Sequence, residues 1–328
     1  EKFGRKPILM SGLAIYVVGS LCCALANSVE MLITARLIQA FGGSAVTVVA
    51  TVIVKDLYDG RAREKIMATI MSLVIIAPMV APILGAFLLK VGSWHLMFIA
   101  LTIFGGIASI FVLFYKETLA SKYTGSILHS WGRLGVVMQN RGFLKLLAIF
   151  SIPPMALMAF LASGSYIYID HFGLSEEMFS YAFAFNAFCA SFAPSIYIKL
   201  SHKFSVEKII TLCLLFLMFC GVLTYNIAHL SPFIFAFIAA PATMMVIIIR
   251  VPGINLMLNQ QLHDTGSSVA IIQFFSMMSG ALGMVLVALR PDALIDNLGL
   301  LQFSIGAIAC CLWLLIRRRS YVVDHLPK

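Results

Sequence analysis

The sequence predicts an all-α polytopic membrane protein that crosses the bilayer about ten times. Three observations carry this prediction. First, 61% of the 328 residues are hydrophobic and 11% charged, with a mean hydropathy of +0.99, outside the range of soluble globular chains. Second, apolar runs of about 20 residues recur from end to end, each long enough to cross the hydrocarbon layer. Third, of the 23 Lys and Arg, all but Arg36, Lys90, Arg250 and Arg290 fall in alternate loops or in the C-terminal tail. Basic residues in alternate loops mark the cytoplasmic side. The start of the chain and its C-terminus are therefore expected in the cytoplasm, and the membrane is expected to be the plasma (cytoplasmic, or inner) membrane. The same placement removes nucleic acid as the reason for the net charge of +9.

The spans follow in order. Span one, Pro7 to Ala26, runs outward and is followed by a short turn, Asn27 to Glu30. A basic start, an apolar core and Ala24-Leu25-Ala26 mimic a secretory signal, but the core is long enough to span and a ladder of spans follows. Span two, Met31 to Val54, returns to the charged inner loop Lys55 to Lys65. Span three, Ile66 to Leu89, carries Pro78 and Pro82 four residues apart on one helical face, with Gly85 beside them. Each proline removes a backbone donor and bends the helix, and the small residues let a neighbour come close. The turn Val91-Gly-Ser-Trp94 puts Trp94 at the interface, and span four, Leu96 to Tyr115, returns inside.

Lys116 to Gly142 is the one long polar, basic break. It divides the chain into an N-terminal bundle, residues 1–115, a cytoplasmic linker, 116–142, and a C-terminal bundle with a basic tail, 143–328. In the second bundle, span five is Phe143 to Tyr168, bent at Pro153-Pro154. Span six is Phe179 to Ile198, span seven Ile209 to Ile227, span eight Pro232 to Leu258, span nine Ser267 to Leu289 and span ten Leu298 to Ile316. Lys2-Phe3-Gly4-Arg5-Lys6-Pro7-Ile8 resembles Lys203-Phe204-Ser205-Val206-Glu207-Lys208-Ile209, an offset of 201 residues. This repeat matches spans one to four with spans seven to ten. It sets Ser279 over Pro78 and Gly283 over Pro82, and it predicts two further spans ahead of Glu1.

Arg36 is the main candidate for chemistry. A charge inside a span costs about 2.5–3.5 kcal/mol on insertion scales, so it needs a reason. Gln39, Gly43, Thr47 and Thr51 continue below it at helical spacing, as the wall of a wet cavity does. A side chain reaching to the nearby outer surface is the alternative. No Asp or Glu stands in the middle of a span, so the acid that proton coupling would need is expected in the spans ahead of Glu1, with a boundary residue such as Asp170 or Glu30 as the alternative. Ser163, Tyr166, Asn186 and Gln273 are further candidates to line a substrate cavity, although each also suits a bond between helices. Arg250, late in span eight, is expected to anchor at the inner surface. The seven Cys lack metal or redox spacing and read as packing residues. No phosphate-binding loop, metalloprotease helix or nucleophile motif occurs. The chain is thus expected to be no enzyme, to hold no metal and to need no cofactor.

Several stretches resemble the major facilitator superfamily. Glu1-Lys-Phe-Gly4-Arg5-Lys6-Pro7 resembles the second half of its loop motif. Arg36-Leu-Ile-Gln39-Ala-Phe-Gly42-Gly43 resembles the Arg-x-x-Gln-Gly-x-Gly motif of its fourth span, with Ala40 in a glycine position. Ala77-Pro78-Met-Val-Ala81-Pro82-Ile-Leu-Gly85 resembles the antiporter motif of its fifth span, and its two Ala-Pro steps are most similar to the Bcr/CflA drug-resistance branch. The resemblance implies a twelve-span fold of two pseudo-symmetric helical bundles, with residues 1–115 as family spans three to six and 143–328 as spans seven to twelve. It implies proton-coupled efflux of amphipathic, drug-like small molecules by alternating access, powered by the proton gradient. Glu1, Gly4 and Arg5 would form a cytoplasmic latch, Arg36 would serve proton coupling, and Pro78, Pro82 and Gly85 would shape the antiporter-motif helix. Protons, an amphipathic substrate and membrane lipids are the expected partners, nucleic acid is not, and the protein is expected to work as a monomer. Proton-coupled uptake of a nutrient and a truncated membrane protein that transports nothing are the alternatives.

Overall fold

The computed structural model describes residues 4–58, 66, 70, 77, 80, 81, 84–117, 135–260, 265–319 and 322. Among these there is no strand, and nine helical stretches are long and apolar enough to cross a membrane. The predicted span three lies largely outside the described residues, as do Glu1, Pro78 and Pro82; residues 84–91 at its end are helical. The chain divides into two compact units, Glu1–Ser126 and Ile127–Lys328.

The first unit contains α1 (Arg5–Ala24), α2 (Val29–Leu57) and α3 (His95–Phe114). Ser28 caps α2 by accepting the Met31 N–H at 3.2 Å, and Glu30 adds a negative charge to its first turn. The α1–α2 crossing is built on glycine: a Cβ on Gly19 would stand 2.5 Å from the backbone N of Gln39, and one on Gly42 would strike the backbone N of Tyr16. Such close approach gives the dispersion contact that joins helices in lipid, where no hydrophobic effect drives them together. α3 packs on α1 with Gly105 against Val17, while Phe104, Phe111 and Phe114 face outward. In water that face would be an aggregation hazard; in a bilayer it is solvated.

The second unit holds α4 (Arg141–Phe150), α5 (Pro154–Ser165) with a π-helical turn (Tyr166–His171), α6 (Glu176–Ser191), α7 (Ala193–Ser201), α8 (Val206–Ile227), α9 (Pro232–Leu258), α10 (Thr265–Val287) and α11 (Leu294–Ile316). Asn140 accepts the N–H groups of Gly142 and Phe143, and its amide donates to the Gln260 carbonyl at 2.9 Å. It thereby caps α4 and ties it to the segment after α9. The bend predicted at Pro153-Pro154 is present as the α4–α5 break. Span six, expected as one run, is divided at Phe192 into α6 and α7, because Pro194 has no N–H to continue the ladder. At the foot of α8 and α11, Arg317 meets Glu207 at 3.2 Å, and the fully buried Trp313 donates to Thr211 Oγ1.

The repeat is visible inside each unit. Gly105 meets Val17 in the first, and Gly306 meets Met218 in the second, each pair separated from its counterpart by the same 201 residues. At the positions matched to Pro78 and Pro82, Ser279 Oγ donates to the Ser151 carbonyl, and a Cβ on Gly283 would collide with the Met155 carbonyl. α10 therefore lies against the C-terminal cap of α4 at the first position and against α5 at the second.

Candidate functional site

In the first unit α2 presents Arg36, and a chain of hydrogen bonds fixes its direction. Arg36 Nη1 donates to Gln39 Oε1 at 2.7 Å, Gln39 Nε2 donates to Ser20 Oγ at 2.7 Å, and Ser20 Oγ donates to the Tyr16 carbonyl at 2.8 Å. The guanidinium carbon also lies 5.5 Å from the centre of the Phe98 ring, within cation–π range. The three-residue spacing of Arg36 and Gln39 puts them on one face of α2. The Gly19 approach brings α1 near enough for Ser20 to close the chain. Gln39 is 3% exposed and Ser20 is fully enclosed. Gln39 is therefore a relay between helices, with one bond at each end of its amide. Thr47 remains exposed on α2 and donates to the Gly43 carbonyl.

Gly4 and Arg5 meet a partner that the sequence reading missed. Glu117, just after α3, accepts the Arg5 N–H at 2.9 Å and the Lys6 N–H at 3.0 Å, and Lys6 Nζ donates to the Leu113 carbonyl at 2.7 Å. A carboxylate on two free N–H groups at a helix N-terminus is favoured by both charge and hydrogen bonding. Gly4 has φ 94° and ψ 163°, open in practice to glycine alone. Gly85, from the antiporter-motif stretch, would bring a Cβ only to ordinary contact with Met97, at 3.7 Å.

The second unit separates the predicted cavity residues. Ser163 is buried and donates to the Ala159 carbonyl of its own helix. Asn186 is buried and donates to Thr243 Oγ1 at 3.3 Å, joining α6 to α9. Burial turned the polar groups of both to the protein. Gln273 on α10 accepts from Arg250 Nη2 at 2.9 Å. Arg250 is thus turned across the helix pair, where anchoring at the surface was expected. Tyr166 does line a cleft, of about 660 Å³, with Asp170, His171, His229, Asp292 and Asp296 among its walls. The π-helical turn sets Tyr166 and Asp170 there by shifting the α5 register. Among the described residues no group of three or more His, Cys, Asp or Glu is placed to hold a metal ion.

The family model described as Major Facilitator Superfamily matches residues 1–284. The chain belongs to the Major Facilitator Superfamily. This is a family of transporters, and its helical fold accords with the many apolar spans described above. Among relatives of this superfamily member, the "Bicyclomycin resistance protein homolog" of Haemophilus influenzae is 28% identical over 221 residues, covering 65% of this chain and 54% of that one. "Multidrug resistance protein MdtL" of Klebsiella pneumoniae is 28% identical over 190 residues, covering 57% and 48%. The "Uncharacterized MFS-type transporter YdgK" of Bacillus subtilis is 27% identical over 322 residues, covering 93% and 77%. The chain thus matches about half the length of the two relatives named for drug resistance. In fold, crystal structures of peptide transporter POT are similar with a TM-score of 0.74 for a mutant with alafosfalin and 0.72 for the protein with sulfate, each at 13% identity. The first comparison covers 96% of this chain and 81% of the other.

Proposed function

We propose that this superfamily member belongs to the Bcr/CflA branch and exports amphipathic, drug-like compounds in exchange for protons by alternating access. The observation that carries this reading is Arg36, a charge inside a span held in one orientation by Gln39, Ser20 and Phe98. A snorkelling anchor needs no such relay, because its charge is stabilised by water at the membrane surface. A coupling residue does need one, since it must offer the same N–H groups to a proton-carrying partner in each cycle. The names of the Haemophilus and Klebsiella relatives favour efflux over nutrient uptake. On this reading the protein is a monomer in the cytoplasmic membrane with its C-terminus inside, and the proton gradient is its energy source.

Cells expressing the gene, with and without Arg36→Ala, test the proposal through drug susceptibility and ethidium accumulation. Expression is expected to lower accumulation, a protonophore to restore it, and Arg36→Ala to abolish the difference. Substrate-driven alkalinisation inside everted vesicles, where protons leave in exchange, separates antiport from uptake. Unchanged susceptibility to every compound, or acidification in its place, would sink the proposal.

A further inference from the structure

Arg250 is a second arginine inside a described span. It leaves α9 about 12 Å before Leu258, and Gln273 leaves α10 about 12 Å after Thr265, at 1.5 Å per residue. The two side chains therefore start at equal depth from the end that the helices share, and the 2.9 Å bond between Arg250 Nη2 and Gln273 Oε1 keeps the guanidinium at that depth. Side chains on a helix lean towards its N-terminus, which for Arg250 means deeper into the span and away from Leu258. A guanidinium has five N–H donors. Among the described residues its one hydrogen-bond partner is a neutral amide, and no carboxylate pairs with it. Ile247 and Ile254 flank Arg250 on its face of α9 and are partly exposed; Met277, one turn beyond Gln273 on α10, is exposed.

We infer that Arg250, oriented by Gln273, is an oxyanion-binding position that takes the carboxylate, phosphate or phosphonate of an amphipathic molecule. The planar guanidinium fork matches such a group in bidentate geometry, the Gln273 amide adds N–H donors beside it, and the apolar neighbours receive the rest of the molecule. The ligand is either a carried compound or a lipid headgroup. The inference stands on the second unit alone and does not require efflux.

The test is equilibrium binding to the full chain in phosphatidylcholine nanodiscs, read by fluorescence anisotropy, with carboxyfluorescein as the anionic probe and ethidium as the cationic one. Arg250→Gln is expected to weaken carboxyfluorescein binding about tenfold or more while ethidium stays within about twofold. Arg250→Lys, which keeps the charge and loses the fork, is expected to weaken it about threefold and covers the case in which the glutamine variant does not fold. Phosphatidylglycerol in the nanodiscs separates the sources. If lipid phosphate is the ligand, it competes with carboxyfluorescein and raises the Tm of the wild type but not of Arg250→Gln; if a carried compound is the ligand, it does neither. Equal carboxyfluorescein binding by the wild type and both variants overturns the inference. So does an absence of carboxyfluorescein binding to the wild type together with no lipid effect on Tm. Loss of ethidium binding alone counts against the efflux reading and leaves this one standing.

Discussion

The carboxylate of Glu117 occupies the space that a side chain on Gly4 would need: a Cβ there would stand 2.6 Å from Glu117 Oε2. The segment after α3 is thereby locked to the start of α1, 113 residues earlier in the chain. Gly4→Ala is expected to lower stability by about 1–3 kcal/mol through backbone strain and displacement of the carboxylate. Glu117→Ala is expected to cost about 1–2 kcal/mol, because two helix N–H groups lose an anionic acceptor. The double variant should cost less than the sum, since both changes break one contact. Thermal unfolding in detergent checks this, and full additivity would contradict the coupling.

If the protein exports drugs as proposed, Gln39→Leu should be as damaging to efflux as Arg36→Ala while leaving the helices intact. It removes the acceptor of Arg36 and leaves the buried Ser20 hydroxyl without its donor, a loss of about 1–3 kcal/mol in stability. Phe98→Leu keeps the apolar packing but removes the ring from the guanidinium, and should have a smaller effect, about 0.5–1 kcal/mol. Ethidium efflux beside circular dichroism separates the two readouts; efflux unchanged in Gln39→Leu would remove the relay from the mechanism.

Two glycines give opposite expectations. Gly42→Val drives a side chain into the backbone of Tyr16, so α1 must move away from α2, and the cost is expected to be about 3 kcal/mol or more. Gly106 in α3 has nothing within 4 Å of its absent Cβ, so Gly106→Ala should be neutral or stabilise by up to about 1 kcal/mol, the helix preference of alanine over glycine. The yield and Tm of the two purified variants decide it, and similar losses in both would contradict the crossing.

Asn140→Ala removes the cap of α4 and the bond to the Gln260 carbonyl together. The expected loss is about 1–2 kcal/mol. Asn140→Asp keeps the capping acceptor and loses the amide donor, so its Tm should lie between the wild type and Asn140→Ala.

How legible the molecule was depended on how local each property is. The expected spans one, two and four lie within a few residues of α1, α2 and α3, and Pro232–Leu258 was read to the residue. Span six was read as one span, and Glu176–Ser201 is one apolar stretch long enough to cross; only its break at Phe192 was missed, because the absent N–H of Pro194 was passed over inside an apolar run. The candidate site was legible as residue types, since a charge or an amide in an apolar run stands out. What those groups touch was not. Gln39 and Asn186 were candidates for a cavity, Asn186 with a bond between helices as its alternative, and both make such bonds, while Ser20, Phe98 and Glu117 did not stand out at all.

Hydropathy and charge along the sequence by themselves determined that this chain is helical, that it spans a membrane many times and which loops carry the positive charge. In lipid each span must satisfy its backbone bonds internally, so this information is local. Tertiary structure alone decided that Glu117 meets Gly4, that Gln39 reaches Ser20 and that Arg250 turns to Gln273. Those contacts depend on how each helix is rotated about its axis and where it crosses its neighbour. Lipid-facing and protein-facing sides are both apolar here, as the exposed Phe104 and Phe111 and the buried Phe143 and Phe235 illustrate. The sequence of a membrane helix therefore carries little of the amphipathic contrast that reveals rotation in a soluble one, and only the packed structure supplies it.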